Sequence, residues 1–101
     1  MKIPKKIKVV GHVIKVVIDH EYCKTNGCNG EIDPDMSTIK LVDQKKSGFT
    51  DEKMRQILLH ELLHICNSTL SLQNKVQDSE VYVESLSSML NQIIPQLGGM
   101  L

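Results

Sequence analysis

The residues of this chain whose types and spacing can do chemistry together are His60, Glu61 and His64, in the run His60-Glu61-Leu62-Leu63-His64. On an α-helix, side chains four apart are offset by about 40° around the axis and about 6 Å along it. His60 and His64 therefore share one face, and two imidazoles so placed can hold one zinc ion. Glu61 lies about 100° round from His60, too far to ligate comfortably but near enough to take a proton from a water at the metal. One helical turn thus offers two ligands and a general base. Two incidental histidines on an amphipathic helix give the same pentapeptide, so the elements around it must support the reading.

A catalytic zinc needs three protein ligands and one open position. Glu80 and Glu84 stand one helical turn apart further along the chain. Glu80 follows His64 by enough residues for one helix to end, reverse and start again. Glu80 is the expected third ligand. Glu84, one turn on, is placed to accept a hydrogen bond from the outer nitrogen of a liganding histidine, as carboxylates around zinc sites do. The two roles can be exchanged, because spacing alone does not fix them. Left without a metal, both glutamates would sit on an exposed helix face.

These residues resemble the gluzincin zinc peptidases. The size and the strand-rich first half resemble the minimal members, the minigluzincins, and the short ImmA/IrrE-type peptidase-like proteins of phages and mobile elements. The resemblance covers about residues 7–94, and only the pentapeptide is a specific motif. It implies that His60 and His64 are the histidine ligands, Glu61 the general base and Glu80 the downstream ligand. It also implies Zn2+ as cofactor, a peptide or protein substrate, and Thr38–Asp43 as the strand beside the cleft. Members of the family usually supply a Tyr or His to the oxyanion. Tyr22, Tyr82, His12 and His20 are the residues of that kind here.

The elements that must position these groups follow from apolar periodicity. Ile7–Val10 and Val13–Asp19 read as strands joined at Gly11-His12, with Ile14, Val16 and Ile18 facing the core. His20–Gly30 reads as a loop with turn signals at Asn26-Gly27 and Asn29-Gly30. Glu31–Asp33 and Thr38–Asp43 are expected to pair as a hairpin, followed by a polar connection over Gln44–Gly48. Thr50 is a helix N-cap, with Asp51 and Glu52 in the first turn where the dipole favours acids. Met54, Ile57, Leu58, Leu62 and Ile65 form the buried stripe of that helix, which should end near Asn67-Ser68. Thr69–Gln77 reads as a loop or irregular turn. A second helix, capped at Asp78 or Ser79, carries Val83, Leu86, Met89, Leu90 and Ile93 and stops at Pro95.

The expected fold is α+β, a small mixed sheet from the N-terminal half covered by the metal helix and a glutamate-bearing C-terminal helix, in a minimal zincin-like arrangement. A chain of 101 residues fits one domain, residues 1–101, with 98–101 as a flexible tail. Twelve basic and twelve acidic residues leave no global field to attract nucleic acid or a membrane. The lysines at 2, 5, 6 and 8 read as a solvated strand. No stretch is long or apolar enough to span a bilayer, and Lys8, His12 and Lys15 interrupt any signal-peptide core. Three cysteines suggest a reducing cytoplasm rather than a disulfide framework. Cys23 and Cys28 sit in a Gly/Asn-rich loop, but structural zinc knuckles favour a shorter spacing, so reduced loop thiols are expected. Cys66 is a small packed residue at the helix end.

The leading functional expectation is a cytoplasmic zinc peptidase. A latent or non-catalytic zinc-binding protein, acting through partners with Gln96–Leu101 in the cleft, is the second. A metal-free interaction module is the third.

Overall fold

Alternating Val and Ile on either side of Gly11 build the first hairpin. The computed structural model describes residues 1–9, 11–33, 35–74, 86 and 88–100. Strand β1 spans Lys6–Val9 and β2 spans His12–Ile18, with Gly11 at φ +75° between them. Their antiparallel register sets Ile7 opposite Ile14 and Lys6 opposite Lys15. One face therefore carries the apolar residues and the other the lysines. Strand β3 (Gly30–Asp33) pairs antiparallel with β4 (Thr38–Leu41), as the alternation predicts. β4 then joins β2 in parallel, Val16 beside Ile39, giving a four-stranded mixed sheet in the order β1-β2-β4-β3.

β4 is thus interior, hydrogen-bonded on both sides. Thr38–Asp43, expected as the strand beside the cleft, therefore has no edge to offer a peptide; among the described residues the outer strand on that side is β3. Ile18 departs as well and is 43% exposed. The end of β2 keeps its pairing with β4, but Ile18 lies beyond the β1 register and borders a hollow with Ile3, Pro4 and Lys5.

Two segments expected as loop or connection are short helices. α1 spans His20–Thr25 and α2 spans Gln44–Ser47. Each is held by its ends. The Asp19 carboxylate accepts from Tyr22 N–H at 3.2 Å and the Asp43 carboxylate from Lys46 N–H at 2.9 Å. Gly27 and Gly48, both at positive φ, close the C-termini. The backbone N–H of Lys46 holds the Asp43 carboxyl below its usual pKa.

α3 spans Asp51–Asn74. Thr50 Oγ1 accepts from Lys53 N–H at 3.1 Å, the expected N-cap. The helix continues past Asn67-Ser68 because neither residue breaks a helix outright and no Gly or Pro follows before Asn74. Its buried stripe of Met54, Ile57, Leu58 and Leu62 closes over Ile7, Ile14, Val16, Ile39 and Leu41 in one core. Burying each such side chain contributes about 1.5–3 kcal/mol. Cys66 is buried in the same stripe and Ile65 packs at its margin.

Helical residues 88–93 pass into a 3-10 helix, Ile94–Met100, where Pro95 interrupts the α-helical hydrogen bonding. Met89, Ile93 and Leu97 add to the core. The 3-10 helix runs beyond Gly98, where the tail was expected to begin. Gln96 lies on the outer edge of β1, its amide accepting from Lys8 N–H and donating to Lys8 O, both at 2.7 Å. That edge is the one opposite β3, so Gln96 and Leu97 are away from the cleft rather than in it. The expected cap at Asp78 or Ser79, with Glu80, Tyr82, Val83 and Glu84, lies outside the described residues. Among the described residues no helix is long and apolar enough to cross a membrane.

Candidate metal centre

α3 delivers the histidine pair as helical spacing requires. His60 Nε2 and His64 Nε2 are 3.1 Å apart, with ring centroids separated by 4.6 Å and ring planes at 82°. Two nitrogens bound to one tetrahedral zinc at about 2.05 Å stand about 3.3 Å apart. The 3.1 Å contact is that of a hydrogen bond between the two rings, and their separation is close to the one a shared zinc would set. Both rings are exposed, so the nitrogens face open space rather than a packed core.

Glu61 turns the other way. It is 9% exposed and lines a hollow of about 320 Å³ with Asn29, Gly30, Lys53, Gln56, Ile57 and His60. This hollow lies where the start of β3 crosses α3, and Gly30 makes the close approach feasible. A Cβ at position 30 would stand 2.8 Å from Ile57 Cγ2, 3.1 Å from Leu41 Cδ2 and 3.4 Å from Glu61 Cγ. The absence of a side chain at Gly30 thus lets the edge strand lie directly against the helix beside Glu61. Sequence reasoning read Asn29-Gly30 only as a turn; a glycine entering a strand was the available sign of close backbone approach.

A second hollow of about 320 Å³ is bounded by His60, Leu63, His64, Asn67 and Leu86. Leu86 is thus the one described residue between Asn74 and residue 88, and it stands alongside the histidine pair. Glu80 and Glu84 lie outside the described residues. Among the described residues no three His, Cys, Asp or Glu side chains converge as a metal site. The two histidines are the part of the predicted ligand set that the structure brings together.

The remaining candidates are engaged elsewhere. His20 Nδ1 accepts from Asp43 N–H at 3.1 Å and ties α1 to the end of β4. Tyr22 lies under the Lys40 ammonium, 3.8 Å from the ring centroid. A hydrogen bond to Glu31 pushes the Tyr22 hydroxyl pKa up. His12 is exposed at the β1–β2 turn. None of these three borders either hollow. Burial raises the pKa of the Cys66 thiol, which suits a packed and unreactive residue.

Compared with protein-family models, curated proteins and solved structures, the chain matches none.

Proposed function

We propose that this chain is a minimal zinc-dependent peptidase of the zincin type. His60 and His64 hold the metal with a carboxylate from Glu80, or from Glu84 in the exchanged arrangement. The observation that carries this reading is the approach of the two Nε2 atoms to 3.1 Å, with Glu61 lining a hollow that His60 also borders. Zinc held there would supply a water of near-neutral pKa and a Lewis acid for the peptide carbonyl. Glu61 accepts the proton from the attacking water and returns it to the leaving amine as the C–N bond breaks.

The open edge of β3 supports the substrate side of the reading. An extended peptide added there as a further strand would run past Gly30 and over the hollow that Glu61 lines.

The test is incubation of zinc-loaded protein with a mixed peptide library, reading new termini by mass spectrometry. Cleavage is expected, and Glu61→Gln should reduce it by at least about 10²-fold while leaving zinc bound. Full cleavage by Glu61→Gln would refute the mechanism. The second reading, a zinc-binding protein that acts through partners, is favoured by one observation: beyond the His60–His64 pair itself, none of the described candidates for an oxyanion donor, Tyr22, His12 and His20, borders either hollow. Stoichiometric zinc without cleavage of any peptide would select it.

A further inference from the structure

α1 ends in a specific closure. Gly27, at φ +65°, follows the C-cap Asn26. Its N–H donates to Lys24 O at 3.3 Å, and Cys28 N–H donates to Cys23 O at 2.9 Å. These are the two bonds of a Schellman motif, which brings together the side chains three positions inside the helix end and two beyond the cap. Here both positions hold cysteine. The Cys28 thiol neighbours Cys23 and donates to Glu31 Oε2 at 3.9 Å. Both thiols are free, Cys23 fully buried and Cys28 half-exposed. The backbone bond between them keeps their Cα atoms near the spacing that a disulfide bridges.

We propose that Cys23 and Cys28 form an intrachain disulfide when the protein meets a small-molecule disulfide such as oxidised glutathione. The bridge fixes the exit of α1 at the residue before Asn29 and Gly30, which line the hollow beside Glu61. It does not depend on the peptidase reading, because its product is read by mass.

The exchange has two steps. Cys28, the accessible thiol, attacks one sulfur of oxidised glutathione, and the other leaves as a thiolate that takes up a proton. Cys23 Sγ then attacks Cys28 Sγ, and the second glutathione leaves in the same way. Two protein thiols are oxidised and one small-molecule disulfide is reduced to two thiols. The groups facing Cys23 are Cys28, Asp19 and Glu31; burial, followed by these neighbours, pushes the Cys23 thiol up to about 12. The second step is therefore slow near neutrality and quickens about tenfold per pH unit.

The test uses the full chain in oxidised glutathione at pH 8.5, followed by intact mass and tryptic mapping. The expected result is a loss of about 2 Da, with Cys66 still free for alkylation after unfolding. Lys24 separates the two cysteines, so trypsin should leave two peptides joined only through Cys23 and Cys28. The melting temperature should rise by about 5 °C and fall back on reduction. At pH 6.5 the glutathione adduct on Cys28 should accumulate first. An unchanged mass, an adduct that persists at pH 8.5, or a cross-link to Cys66 would overturn the proposal. Cys28→Ser should show no loss of 2 Da; such a loss would likewise assign the pairing to Cys66 and overturn it.

Discussion

His60 and His64 illustrate what a helical spacing fixes and what it leaves open. The four-residue interval dictates that the two rings meet, and they do, at an Nε2 separation of 3.1 Å. It says nothing of what lies beside Glu61, which depends on a strand that begins about thirty residues earlier. Gly30 is the residue that joins the two regions. A methyl group there meets Ile57 and Leu41 well inside normal contact, and Ile57 is β-branched and packed, so it yields little. Gly30→Ala should destabilise the fold by about 1–3 kcal/mol, measured by urea denaturation. A change below about 0.5 kcal/mol would mean that β3 can move off α3 at little cost. The histidine pair was legible from spacing; the role of Gly30 was not, because it arises from a tertiary crossing.

At the scale of elements, what was readable follows the length of each piece. β1, β2 and β4 show alternation because every second side chain enters the core, as Ile14 and Val16 or Ile39 and Leu41 do. α3 is long enough for its stripe to repeat. α1 and α2 span less than two turns, too short for a period, and their cues are only the caps at Asp19 and Asp43 and the glycines at 27 and 48. The far end of α3 was misplaced because Asn67-Ser68 is a weak stop. The parallel pairing of β2 with β4 is a tertiary choice, invisible in either strand alone.

Gln96 is a further element-scale device. Its side chain pairs with both backbone groups of Lys8 and so covers the β1 edge, which otherwise offers unpaired groups to another chain. Gln96→Ala should cost about 1–2 kcal/mol in urea denaturation and increase concentration-dependent association measured by light scattering. Unchanged stability and unchanged association would show that the edge needs no cover.

Across the whole molecule, neutrality conceals a division of charge. The residues up to Ile18 include Lys2, Lys5, Lys6, Lys8 and Lys15 and no Asp or Glu, so every acidic side chain lies in the later elements. Lys6 faces Lys15 directly across the hairpin, on the side of the sheet away from α3. The opposite side carries the core, and the histidine pair sits beyond it on the exposed face of α3. The α+β architecture with a small mixed sheet was legible from the strand-rich first half and the helical second half. The order β1-β2-β4-β3, which leaves β3 as the open edge beside Glu61, emerged only on folding.

Metal content per chain is the most direct test, measured by inductively coupled plasma mass spectrometry on protein purified without an affinity metal. One zinc per chain, lost in His60→Ala and retained in Glu61→Gln, is the predicted result. No zinc in the purified chain, and none taken up when zinc is added, would contradict the metal centre and the peptidase built on it.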